Sequence, residues 1–177
     1  MAIQIGAKPD SGFDDPLGML VDCHRRIERF LHILCVVADR AVGRPLTNEE
    51  REGVQSALHY FRSGGQRHTS DEEESLFPRL RGEFEAGNLK ELAALESDHR
   101  NATELHASVD NLYSAWIASS RLSPEEEQQL VSATKQLKRL YEAHIQVEER
   151  IVFPRAAEML DSSIIEAIGK EFKARRE

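Results

Sequence analysis

Apolar residues recur at three- and four-residue steps along most of the chain, the period of a helix with one buried face. From Pro16 to about Val42 the stripe is Leu20, His24, Ile27, Leu31, Leu34 and Ala38. Asp14 or Asp15 can cap this helix, Pro16 suits its first position because the N-H there has no helical partner anyway, and Gly43-Arg44-Pro45 ends it. Thr47 and Glu50 form a capping box for a second helix that turns Val54, Leu58 and Phe61 inward. Gly64-Gly65 weakens that helix, so a kink or short break is expected before the pattern resumes and runs to Phe77-Pro78. A third helix, about Leu89 to Ser119, carries Leu92, Leu95, His99, Ala102, His106, Val109 and Tyr113 on one face. Ser123, Pro124 and Glu126 start a fourth, with Leu130, Ala133, Leu137, Leu140, His144, Glu148 and Ile151 on its stripe before Pro154. Ser163 with Glu166 predicts a last short helix from Ile164 to about Arg175. Four long helices joined by short links are most simply antiparallel neighbours. The expected fold is therefore all-α: an up-down antiparallel four-helix bundle over residues 14–160, after an N-terminal extension over 1–13. The short extra C-terminal helix, in residues 161–177, packs on its outside.

Composition narrows the functional classes. Hydrophobic residues make up 40% and charged ones 31%, with 10 Gly and 6 Pro in 177 residues, which fits one helical domain and argues against disorder. A net charge of -8 repels a phosphate backbone, so no nucleic-acid partner is expected. No run of apolar residues reaches the length of a membrane span, and Met1 to Asp15 holds no signal-peptide core. The expected setting is the cytoplasm, without a membrane partner. Cys23 and Cys35 fall on one helix about 18 Å apart, too far to bond to each other, and read as packed, unreactive thiols.

The chemistry lies in a repeat. Residues 68–78 read His68-Thr-Ser-Asp-Glu72-Glu73-Glu-Ser-Leu-Phe77-Pro78, and residues 144–154 read His144-Ile-Gln-Val-Glu148-Glu149-Arg-Ile-Val-Phe153-Pro154. His24-Arg25 lies 44 residues before His68 and His99-Arg100 lies 45 before His144, so each half is a His-Arg, a helical hairpin and a His-x-x-x-Glu. A His and a Glu four apart share a helix face. The two halves together bring four imidazoles and two carboxylates, His24, His68, Glu72, His99, His144 and Glu148, toward one bundle axis. Taken singly, each would pass for a packed histidine or a solvated acid. Together on inward stripes they would be costly in an apolar core unless a cation pairs with them. A thiolate-free set of this kind suits iron or manganese, and ligand type alone does not exclude zinc.

Glu73 and Glu149 point about 100° away from the neighbouring ligands and read as surface or supporting groups. His106, seven residues after His99, and His32, eight after His24, read as packed or supporting histidines one layer deeper. His59 is assigned nothing. The Phe-Pro after each motif is expected to end its helix.

On these motifs the chain resembles the hemerythrin-like HHE cation-binding family, over about residues 14 to 160. It is most similar to the di-iron domain of the bacterial iron-sulfur cluster repair (RIC) proteins. The resemblance implies a non-haem di-iron centre, oxo- or hydroxo-bridged, with His24, His68, Glu72, His99, His144 and Glu148 as iron ligands. Oxygen-carrying hemerythrins have an extra histidine four residues after the third-helix ligand, where this chain has Thr103, and an aspartate bridge where it has Glu148. Reversible oxygen carriage is therefore not expected. The repair proteins also carry an N-terminal cysteine-bearing domain, for which the stretch ahead of this bundle leaves no room, so a repair role is not carried over. The expected function is to bind or reduce a small diatomic or peroxide molecule (O2, NO or peroxide) in stress defence or sensing, with an electron donor still to be identified. The alternative is a non-catalytic iron store or delivery protein, and a purely structural bundle would hold no metal.

Overall fold

The computed structural model describes residues 10–41, 43–83 and 90–177. It is helical, with no strand among the described residues. The expected residues 1–9 of the N-terminal extension, Val42 at the end of the first helix and Leu89 at the start of the third lie outside that set. None of the described helices is long and apolar enough to cross a membrane.

Five helices account for the architecture of the described residues. α1 is Pro16–Arg40, with the Asp15 side chain accepting the Gly18 N-H and Pro16 in the first turn. The link that follows turns through Gly43, whose φ of +80° is a region that suits glycine. α2 spans 48–83 and opens on the Thr47/Glu50 capping box. α3 is Lys90–Ser119. α4 spans 124–159 and opens on the Ser123/Glu126 box. α5 is Ser162–Ala174, two residues earlier than expected, because Asp161 and not Ser163 caps it, accepting from the Ser163 and Ile164 N-H groups. α1 packs against α2 and α4, and α3 packs extensively against α4 but touches α2 far less.

α2 and α4 depart from the expected pattern. Gly64-Gly65 does not break α2; Phe61–Gly65 forms a turn of π-helix and the helix continues. The two Phe-Pro pairs do not end their helices either, since α2 runs on to residue 83 and α4 to 159. A wide turn precedes each proline, Asp71–Leu76 in α2 and Glu148–Val152 in α4. In each, the Phe N-H reaches back five residues, Phe77 to the carbonyl of Glu72 and Phe153 to that of Glu148. Widening the turn opens the space where the proline ring would meet the carbonyl four residues back, so the chain passes through the proline still helical. The price of that turn falls at the two glutamates of the repeat.

Two apolar clusters flank the middle of the bundle. One includes Ile27, Leu34, Leu58, Val109, Tyr113 and Leu137. The other includes Leu20, Leu76, Phe77, Leu92, Phe153 and Phe172, the last from α5. α5 is also tied down by charge: buried Asp71, next to Glu72, accepts from Arg175 at 3.0 Å and Arg176 at 2.6 Å. The segment leading into α1 crosses α5 at Gly169, where a Cβ would lie 1.9 Å from the Phe13 carbonyl oxygen. Cys23 and Cys35 are both buried on α1 and unbonded.

Candidate metal centre

The six residues singled out by the repeat meet between the clusters. Their ligand atoms fall into two overlapping groups, His24, His68, Glu72 and Glu148, and Glu72, His99, His144 and Glu148. Both glutamates belong to both groups. Each group draws on both halves of the duplicated chain, which is why neither hairpin could build it alone.

The distances fit a shared cation better than direct hydrogen bonds. Nε2 lies 3.1 Å from Glu148 for His24, 3.4 Å from Glu72 for His68, 3.3 Å from Glu72 for His99 and 3.2 Å from Glu148 for His144. Two ligand atoms each about 2.1 Å from one ion stand about 3.0 Å apart at a right angle and about 3.4 Å apart at the tetrahedral angle. The outer ring nitrogens fix the tautomers. Nδ1 of His24 pairs with Glu149 at 2.8 Å, Nδ1 of His99 with Glu73 at 2.7 Å and Nδ1 of His144 with Asp98 at 3.4 Å. With the proton on Nδ1, each Nε2 turns a lone pair inward. His99 and His144 then set two lone pairs face to face, 3.2 Å apart. Nε2 of His24 and all four oxygens of Glu72 and Glu148 lack a hydrogen-bond partner among the described residues. Buried polar atoms left in that state are expensive, and a cation satisfies all of them at once. The residues present fit a pair of metal ions.

Electrostatics within the protein agree. Burial, followed by the neighbouring Glu148 carboxylate, pushes Glu72 well above the usual carboxylate range. Burial would raise Glu148 too, but the imidazoles of His144 and His24 hold it below that range. Burial and then His24 depress His68, and burial and then His144 depress His99. For His144 the lowering by burial is outweighed by Glu148 and Asp98, and it stands raised. Without a cation the two carboxylates cannot both ionise freely, whereas His68 and His99, with their proton affinities depressed, are held in the neutral state that a metal needs.

The supporting residues were only partly foreseen. Glu73 and Glu149 do turn away from the centre, but each reaches across to an imidazole of the other half, and Arg25 pairs with Glu149 in turn. Asp98 was missed, although its place immediately before His99 was a signal. Cys23 stands at the matching place before His24, and Nδ1 of His68, buried, has no hydrogen-bond partner among the described residues. Tyr141 was missed because a tyrosine on an inward stripe reads as core. Its hydroxyl lies 3.0 Å from Nε2 of His106, which is therefore in a supporting layer as expected. His32 is not in such a layer: it and His59 are exposed, because the eight-residue step from His24 carries His32 off the buried stripe.

Residues 15–156 match the family described as Hemerythrin HHE cation binding domain. The chain belongs to that family. It is also 26% identical over 174 residues to an uncharacterized protein of Haemophilus influenzae, the match covering 93% of this chain and 92% of the relative.

Proposed function

We propose that this is a non-haem di-iron protein that binds or reduces a small molecule, O2, NO or a peroxide, in stress defence or sensing. His24, His68, Glu72, His99, His144 and Glu148 are its ligands, with both glutamates shared between the ions. The observation that supports this reading is the pair of four-residue groups with Glu72 and Glu148 in common, where Nε2 of His24 and all four carboxylate oxygens have no hydrogen-bond partner among the described residues. Iron at the centre would supply redox chemistry, and we also propose an oxo or hydroxo bridge between the ions. The short links and the neighbours of each helix support an antiparallel up-down arrangement of α1 to α4. The protein's residues hold the centre, set the imidazole tautomers and keep the carboxylates buried. Thr103 donates to the His99 carbonyl at 2.9 Å, so its hydroxyl is already engaged and it does not replace the extra imidazole of the oxygen carriers.

The test is metal analysis of the purified protein, followed by anaerobic reduction and separate exposure to NO, O2 and hydrogen peroxide, read by absorption and by Mössbauer or electron paramagnetic resonance. About two irons per chain, NO binding to the reduced form and oxidation to a stable form by O2 or peroxide are expected. Inertness to all three would turn the reading to iron storage or delivery. Retention of two irons by the Glu72→Ala, Glu148→Ala double variant would sink the ligand assignment.

A further inference from the structure

The duplication pairs α1 with α3 and α2 with α4, so the α1–α4 seam and the α2–α3 seam should look alike. They do not. Shifting α1 by 75 residues sets Ile27 on Ala102 and Leu31 on His106, and shifting α4 back by 76 sets Tyr141 on Gly65. The isoleucine and leucine of α1 are answered on α3 by an alanine and a histidine, and the tyrosine of α4 is answered on α2 by a glycine. The missing side chains leave a groove of about 300 Å3 between α2 and α3.

The groove has distinct ends. Along α3 it extends from His99 to Asp110 and Asn111, about 16 Å of helix. Of the six centre residues, only His99 lines it. Further along are Tyr141, whose ring lies 6.3 Å from that of His144, and His106, seven residues past His99, joined by their hydrogen bond. Leu34, Leu58, Phe61, Ala102 and Val109 supply apolar wall, and Thr103 and Ala107 are exposed along its length. At the far rim Arg62 and Asp110 pair across the two helices at 2.5 Å.

Size decides what it can hold. A diatomic molecule or hydrogen peroxide needs little more than the roughly 30 Å3 of a water, and a cavity of about 150 Å3 takes a benzene ring. A groove of 300 Å3 has room for about a dozen carbon and oxygen atoms. We infer that the α2–α3 groove is a binding site for an organic hydroperoxide, its apolar body along the groove and its oxygen end beside His99 and Tyr141. When His106 donates through Nε2 to the tyrosine oxygen, the Tyr141 proton is free to meet the ligand's oxygen. Reduction of such a ligand, ROOH + 2 e- + 2 H+ to ROH + H2O, breaks the O–O bond. Its electrons are those of the reduced metal pair of the proposed function, on which this inference rests, and its protons come from solvent.

Binding can be tested without metal. 2-Phenyl-2-propanol, which has the body and an oxygen of cumene hydroperoxide, is titrated into the metal-free protein by NMR with labelled tyrosine and histidine. Roughly millimolar affinity with shifts at Tyr141 and His106 is expected. Ala107→Trp, or Ala107→Leu should the first variant fail to fold, should weaken it at least tenfold. Tyr141→Phe should weaken it about fivefold while leaving binding of cumene itself within twofold. In the metal-loaded, reduced protein, oxidation by cumene hydroperoxide should saturate, and the Ala107 variants should raise its half-saturation concentration tenfold while leaving the rate with hydrogen peroxide within twofold. No binding of the alcohol, or equal effects of the Ala107 variants on both peroxides, overturns the inference and leaves the metal reading standing. A wild-type protein that takes up no metal overturns both.

Discussion

At the scale of single residues, the groups that touch the inward histidines from outside matter nearly as much as the histidines. Glu149 and Glu73 hold the Nδ1 protons of His24 and His99, and so decide which lone pair faces the centre. Removing either by Glu149→Ala or Glu73→Ala should lower metal affinity by about 10- to 100-fold while leaving the number of ions bound at saturation unchanged. Competition against a graded chelator measures this, and unchanged affinity in both variants would show that the outer pairs are ornamental. His106 provides a second residue-scale expectation. Burial pushes its imidazole from the usual 6.5 down to about 4. In the unfolded chain it takes a proton near pH 6.5, whereas the folded protein refuses that proton until about pH 4. The stability associated with the neutral ring is thus fully present above 6.5 and is lost as pH falls through the window to 4, by up to about 3 kcal/mol. His106→Gln, which keeps a hydrogen-bonding group but cannot titrate, should lose less stability than the wild type between pH 7 and 4.5 in urea unfolding. Parallel curves for the two proteins would count against it.

At the scale of elements, the wide turns are what place the shared glutamates. Glu72 and Glu148 each lie in a π-helical stretch whose last hydrogen bond ends on the Phe before a proline. The proline has no N-H to close an ordinary turn, so the wide turn is built into the sequence and not an accident of packing. Pro154→Ala restores the missing donor and lets α4 return to regular spacing. The variant should bind metal more weakly, by about tenfold or more, while the metal-free protein unfolds at the same or a higher denaturant concentration, since an interior helical proline costs about 3 kcal/mol. A fall in metal-free stability with unchanged metal affinity would show that the proline acts through packing instead. α5 works on the same stretch from outside, through the pairing of Arg175 and Arg176 with buried Asp71 beside Glu72.

At the scale of the molecule, the centre is both a site and a cost. Glu72, Glu148, His24, His68, His99 and His144 sit almost fully buried between two apolar clusters. A cation bound only by the folded state adds RT ln(1 + [M]/Kd), about 4 kcal/mol at a thousandfold excess over the dissociation constant. For a domain of this size that is about 10 °C of melting temperature. Calorimetry before and after chelation should show a shift of that order, reversed by adding iron back. Identical melting curves would mean that the folded and unfolded chains hold metal equally or that neither holds it.

The sequence by itself determined much of this. Helix stripes, two capping boxes and the Asp15-Pro16 start marked the long helices, because these signals act within one or two turns of chain. The duplicated His-Arg and His-x-x-x-Glu together named the six centre residues, because a repeat raises the information in each His and Glu above what either carries alone. What it could not tell was where neighbouring helices would put their outer faces. Glu149 stands 125 residues from His24 and Asp98 stands 46 from His144, and only the packed bundle brings each pair together. The wide turns were misread as helix ends because a proline has the same local signature in both, and the groove beside His99 was invisible because it arises from a difference between two seams. Local chemistry is written along the chain, whereas contacts between faces, and the spaces left where faces fail to meet, are fixed only by tertiary structure.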